Sequence, residues 1–345
     1  MSEDEADLEL LDLLRKSLGI GTNLNAAPDT RVLKDAEYIY NNSIDVALDM
    51  RGTKSAAAII YDKMKIKSYS TTNWSDHPYH PKTKDESTVD FIFTLDLLNF
   101  SFWSERSTEE RFAVEFEGKK WTGYASLTAS LQRALEENIP ITDPSFWINE
   151  EECTEEVLRN VFRSATEEEI PLFDKRVACL REAGRVLDEV VNLLASNFEC
   201  FRDEGRFDGR SVRFQKRAQI FVADLWAAFD GDGYGRFDDI DTITMFADYR
   251  IPQMLHTLGC ISYSPWLDGK IRRLELVESG SSAEMQIRGC SIWCVELLRR
   301  EIVHNHPDAK VNAILIDYFL YDTIKEIEKE GLEQMPHHRT RSIWY

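Results

Sequence analysis

Phe214–Trp226 reads FQKRAQIFVADLW, a strongly apolar helix face that also carries Lys216, Arg217 and Asp224. The apolar residues recur with helical period from Arg213 to Phe229, which marks a core helix whose cations are expected to snorkel toward water. Working outward, Asp241–Leu258, Ser291–Val303 and Val311–Glu330 repeat the pattern on one side, and Arg176–Phe198 on the other. Thr154 caps TEEVLRNVF with acidic residues in the first turn. The fold class is therefore mainly α, a compact helical body of one piece or two lobes. The chain has no internal repeat, which excludes a solenoid.

Nearer the N-terminus, DFIFTLDLLNFSFW (Asp90–Trp103) is apolar almost all round. Such a segment is buried on most sides, so Asp90, Asp96 and Asn99 need partners. RFAVEFEGKKWTGYASL alternates as a hairpin does, with Glu117 and Gly118 at the turn, and is the one small β element expected. Asp76–Asp85, DHPYHPKTKD, is a histidine-rich loop broken by two prolines, and Thr30–Ala47 reads as a helix. Residues 1–29 form an N-terminal extension in which Leu8, Leu11, Leu14, Leu18 and Ile20 recur at helical spacing; residues 30–345 form the functional body.

The 345 residues are 43% hydrophobic and 11% aromatic, enough for a large core and for a pocket that stacks on a ring. A formal net charge of -20 repels a nucleic-acid backbone but does not exclude a small phosphorylated ligand, which needs only a few local cations. Cys153, Cys179, Cys200, Cys260, Cys290 and Cys294 show no CxxC pair and read as reduced core thiols. With no membrane-length apolar run and an acidic start, a cytosolic or nucleocytoplasmic enzyme fits best.

DGDGYGRFDDID (Asp230–Asp241) only partly matches a calcium loop, since Tyr234 replaces an oxygen ligand and Asp241 the bidentate glutamate, so a solvated acidic turn is the reading. Cys290 with Cys294, and His304 with His306, are too sparse to complete a zinc set. Neither metal nor cofactor is expected. In FADYRIPQML (Phe246–Leu255), Asp248 lies beside Arg250, and local sequence favours a structural pair over a carboxylate held for chemistry. Asp317, inside NAILIDYFLYD (Asn312–Asp322), is so surrounded by apolar residues that it needs a cation, a hydrogen-bond network or a ligand. The ending PHHRTRSIWY packs His337, His338, Arg339 and Arg341 beside Ile343, Trp344 and Tyr345, and is too aromatic to be left in water.

LDLLNFSFW, KRAQIFVADLW, MFADYRIPQ, IRGCSIW and PHHRTRSIWY, in this order, resemble the signature blocks of the queuosine salvage family, also called queuosine 5'-phosphate N-glycosylases, from about Val32 to Tyr345. The resemblance implies a fold similar to the helix-hairpin-helix DNA glycosylases and hydrolysis of a ribosyl to 7-deazaguanine bond. Lys216 and Asp248 match that group's order of a lysine followed by an aspartate, whereas GDGYGRFDD is too acidic for a DNA-gripping hairpin. The catalytic candidates are Asp248, then Asp317, with Lys216. Candidate substrate contacts are His80, Asp96, Phe100, Trp103, Phe246, Tyr249, Arg250 and Asp322, with His337, His338, Arg339 and Arg341 supplying cations near the 5'-phosphate. The expected partner is this small-molecule nucleotide, not duplex nucleic acid or a membrane. A noncatalytic queuine- or nucleotide-binding protein of the same fold is the alternative, and a DNA or RNA glycosylase is disfavoured by charge.

Overall fold

Two apolar cores meet along one extended segment in the computed structural model, which describes residues 30–188, 201–332 and 334–345. In chain order, α1 (Val32–Asn41) passes through β1 (Val46–Leu48) into α2 (Met50–Ile66) and the single turn α3 (Thr72–Ser75). Then follow α4 (Glu86–Leu98), the hairpin of β2 (Val114–Phe116) and β3 (Lys119–Trp121), α5 (Tyr124–Glu136), α6 (Pro144–Ile148), α7 (Glu155–Val161) and α8 (Phe173–Asp188). A second hairpin, β4 (Glu204–Phe207) with β5 (Arg210–Arg213), leads into α9 (Lys216–Ala228), α10 (Arg250–Thr257), β6 (Ile261–Tyr263), α11 (Pro265–Arg272), α12 (Ser282–Asn305) and α13 (Ala313–Lys329).

The first core gathers Phe91, Leu95 and Leu98 of α4, Leu127 and Leu131 of α5, Leu180 of α8 and Phe221 and Leu225 of α9. Ile39, Ile60, Met254, Ile292, Val295, Ile316 and Leu320 build the second, around α12. Gly289 on α12 sits so close to α1 that an added Cβ would lie 2.6 Å from the Ile39 Cβ, which gives IRGCSIW its glycine. In the linking segment at 243–248 the side chains are shared between the cores: over Met245–Ala247 they alternate, Met245 and Ala247 entering the second core and Phe246 the first, and Ile243 also joins the first. Asp248 stands at the end of that seam.

The mainly α reading holds, with three corrections. Among the described residues three antiparallel strand pairs occur, not one hairpin: the expected Glu117–Gly118 turn joins β2 and β3, but β1 also pairs with β6, and β4 with β5 across Asp208 and Gly209. The helix expected over Thr30–Ala47 ends at Asn41, because Val46–Leu48 is taken into the pairing with Ile261–Tyr263. Asp90 is exposed on α4 and has no burial to offset. Thr154 caps α7 as expected, accepting the Val157 N–H. The helical reading of Leu8–Ile20, the end of Arg176–Phe198, and Cys200 lie outside the described residues.

Candidate active site

The start of α9 is held from below. Asp203 accepts the Phe214 and Gln215 N–H groups on its backbone carbonyl (3.0 and 3.2 Å) and the Lys216 N–H on its carboxylate (3.1 Å). Gln215 is forced into the left-handed region at φ 49°, a conformation costing about 1–2 kcal/mol in a residue with a Cβ. Arg288 of α12 grips Asp203 through both guanidinium nitrogens (2.9 and 2.5 Å), lies 3.6 Å from Glu284, and donates from Nε to the Ala247 carbonyl (3.2 Å). One buried arginine thus ties the residue before Asp248 to the cap that launches Lys216.

Lys216 and Arg217 do not snorkel; both are buried, Arg217 with a carbonyl acceptor and Lys216 beside carboxylate charge. Arg217 donates to the Leu97 carbonyl (2.5 Å), while Lys216 lies in the field of Asp248. Burial pulls the Lys216 ammonium below its usual pKa, and the Asp248 charge opposes that shift.

Asp248 uses Oδ1 to accept the Arg250 and Ile251 N–H groups, both at 2.9 Å, so it caps the first turn of α10. Pro252 fits in that turn because its nitrogen has no proton to leave unsatisfied. The sequence suggested an Asp248–Arg250 side-chain pair, but residues two apart at a helix start do not face each other. Arg250 instead pairs with Glu328 of α13 and reaches Gln253 (3.3 Å). Burial raises the Asp248 carboxyl, and Lys216 and the two backbone donors hold it down. The residue as a whole is half-buried, and both of its backbone donors bind Oδ1.

Across the seam, Asp317 accepts the Phe246 N–H on Oδ2 (2.9 Å), and burial and then the Asp248 charge push its carboxyl well above the usual range. Asp224 lies deeper, pushed up to about 6 by burial while the Tyr318 hydroxyl, 2.5 Å from its Oδ1, pulls it down. Burial and the Asp224 charge likewise raise Asp96. Tyr124, Tyr318 and Tyr321 are half-buried around these acids.

The C-terminus docks. Trp103 Nε1 donates to the Thr340 carbonyl (2.8 Å), Arg341 lies 3.6 Å over the Trp103 ring, and Tyr345 is buried against Tyr249 and Trp103. His337 lies 4.5 Å from the Tyr249 ring, and His338 Nε2 pairs with the Tyr345 hydroxyl (3.2 Å). Both imidazoles are lowered to about 3, by burial first and then by the Arg250 charge for His337 and by His337 for His338. They are therefore neutral at pH 7, a correction to their expected role as cations. Between the unfolded value of about 6.5 and the folded value the unfolded chain binds the extra protons, so this contribution to stability is lost as pH falls from 6.5 toward 3. The gap in unfolding free energy between wild type and His338→Gln should accordingly narrow by about 1.4 kcal/mol per pH unit below pH 6. A gap independent of pH would refute it.

The structure gathers Lys216, Asp248, Asp317, Asp96, Phe246, Tyr249 and Arg250 about the seam. Phe100 and Trp103 are placed elsewhere: Phe100 packs between Arg176 and Arg217, at 4.4 and 5.0 Å, and Trp103 anchors the C-terminus. His80 has both ring nitrogens occupied, by the Trp74 carbonyl and the Tyr124 hydroxyl (each 2.8 Å), so it backs Tyr124 and does not face the seam itself. Asp322 accepts the Tyr69 hydroxyl (2.5 Å) farther along α13. Absent from the candidate site residues were Asp203, Arg288, Asp224, Tyr318 and Lys325. Of these, Asp224 shared the signal that marked Asp317, a carboxylate in an apolar helix.

Residues 79–191 and 188–345 match the family described as queuosine salvage protein. A Schizosaccharomyces pombe protein named queuosine 5'-phosphate N-glycosylase/hydrolase is 42% identical, over 92% of this chain and 100% of its own. Proteins of the same name from Mus musculus and Sphaerobacter thermophilus are each 37% identical, over 90% and 84% of this chain and 98% and 91% of theirs. With so much of both chains aligned and the blocks above lying at one seam, this chain belongs to the queuosine salvage protein family.

Proposed function

We propose that this chain hydrolyses the N-glycosidic bond of queuosine 5'-phosphate and releases queuine for salvage into tRNA modification. The observation that carries it is Asp248, fixed through Oδ1 by two backbone donors and held down against burial by the charge of buried Lys216. Cleavage passes through an oxocarbenium-like ribosyl cation, and a carboxylate held at that carbon stabilises the developing charge and orients or deprotonates water. A 7-deazaguanine has carbon where purines take a leaving-group proton, so the departing base is stabilised by hydrogen bonds to its other edges. Asp317, whose Oδ2 is taken by the Phe246 N–H, offers Oδ1 to the N–H edge of the base. Buried thiols at Cys153, Cys260, Cys290 and Cys294, none of them in a disulfide, agree with a reducing, cytosolic setting.

Arg250, Lys325 and Arg339 surround His337, and although Glu328 pairs with both Arg250 and Lys325, the cluster next to Tyr249 keeps a net positive charge in a chain of net charge -20. This patch fits the 5'-phosphate. Arg339→Gln should raise KM for the nucleotide about 10-fold, the scale of one charge-assisted hydrogen bond, and leave the unphosphorylated nucleoside within about twofold. Arg341→Gln, which loosens the Trp103 anchor, should affect both alike. Equal effects of Arg339→Gln on the two substrates would remove it from phosphate recognition.

The direct test is incubation of the purified protein with queuosine 5'-phosphate in EDTA and detection of free queuine. Release is expected, since the Asp248–Lys216 chemistry calls on no metal. Tight binding without release would favour the noncatalytic reading.

A further inference from the structure

Asp96 on α4 and Asp224 on α9 lie in each other's field inside the first core, with Asp96 wholly buried and Asp224 3% exposed. Asp96 Oδ1 takes one long hydrogen bond from Asn99 (3.3 Å), and Oδ2 accepts none from any described residue. Packing gives no reason for this arrangement, because asparagine at either position would fill the same volume without a charge to desolvate. The pair is also not remote from the chemistry. Tyr318, beside Asp317 on α13, donates to Asp224 (2.5 Å), and Arg217, beside Lys216 on α9, donates to the Leu97 carbonyl next to Asp96 (2.5 Å), so the pair is bonded through immediate neighbours to the residues of the seam. Tyr318 fixes Asp224, and Tyr124, braced by His80, stands in the field of both acids.

We propose that Asp96 and Asp224 form the subsite for the cationic aminomethyl arm of the base, and so set the preference for queuine over amine-free 7-deazaguanines. This rests on the queuosine reading above. Asp317 is already committed to the Phe246 N–H and keeps the ring edge of the base. An ammonium arriving between the two acids supplies the donors that Asp96 Oδ2 lacks and neutralises a repulsion the empty pair carries.

The test compares queuosine 5'-phosphate with 7-deazaguanosine 5'-phosphate in wild type, Asp96→Asn and Asp224→Asn. Wild type should prefer the amine-bearing nucleotide by about 30-fold in kcat/KM, the scale of a buried charge-assisted contact, and each amide variant should bring the ratio below about threefold. A parallel titration with free queuine and free 7-deazaguanine should show the same loss of discrimination in Kd. A ratio unchanged in both variants overturns the subsite, as does an equal fall on both ligands. Should wild type cleave neither nucleotide, the hydrolase reading fails while the two free bases still decide the subsite.

Discussion

Asp248→Asn is expected to lower kcat on queuosine 5'-phosphate at least about 100-fold, the usual scale for an electrostatic or acid/base group, in protein that folds normally. Asparagine retains the carbonyl oxygen that accepts the Arg250 and Ile251 N–H groups, so the α10 cap survives and the loss is specific to charge. KM should change far less than kcat, because the carboxylate acts on a charge that exists only as the bond breaks. Asp317→Asn is the matched control. It keeps an acceptor for the Phe246 N–H but presents the base edge with an altered donor pattern, and its defect should fall on KM as well as kcat. Near-normal turnover in both folded variants would defeat the catalytic assignment.

Much of this site was legible before any coordinates, and for a physical reason: a carboxylate or ammonium inside an apolar helix is costly enough to mark itself. Asp317 and Asp96 stand out this way and both prove buried. Lys216 has the same signal, but the habit of lysine to snorkel points the wrong way when acceptors lie inside the protein. What sequence could not show was who faces whom. Arg250 looked to its neighbour Asp248, yet its partner Glu328 is on another helix. Phe100 and Trp103 are apolar enough to line a pocket, and only their distant partners, Arg176 and Thr340, reveal that they pack elsewhere.

Among the strands the lesson differs. β1 and β6 are three residues each, too short for alternation to register, and their pairing is entirely long-range. The β4–β5 hairpin did carry a signal. Asp208 and Gly209, at φ 48° and 75°, form the Asp-Gly turn that suits a two-residue hairpin, and FDGRSV holds it in plain view. That hairpin matters to function because it delivers the chain to Gln215 and Lys216 from Asp203, the residue Arg288 holds.

Arg288→Met should therefore destabilise the fold by about 3–5 kcal/mol, the cost of breaking a buried ion pair by removing one partner. Arg288 and Asp203 are each only 2% exposed in their side chains, and Glu284, 3.6 Å from the same guanidinium, is 1% exposed, so two carboxylates would be stranded. The ring of Phe214, 4.0 Å from the guanidinium, would also lose its cation. Methionine fills much of the volume, which separates the electrostatic loss from a simple cavity. Arg288→Lys sharpens the test, since it retains the charge but cannot reach both Asp203 oxygens and the Ala247 carbonyl at once. Urea midpoints should fall in the order wild type, Arg288→Lys, Arg288→Met, and turnover of Arg288→Lys should drop more than its stability, because Ala247 and Lys216 are held through this one side chain. If Arg288→Lys matched wild type in both, charge alone would suffice there and the fork geometry would have no part in setting the Asp248–Lys216 pair.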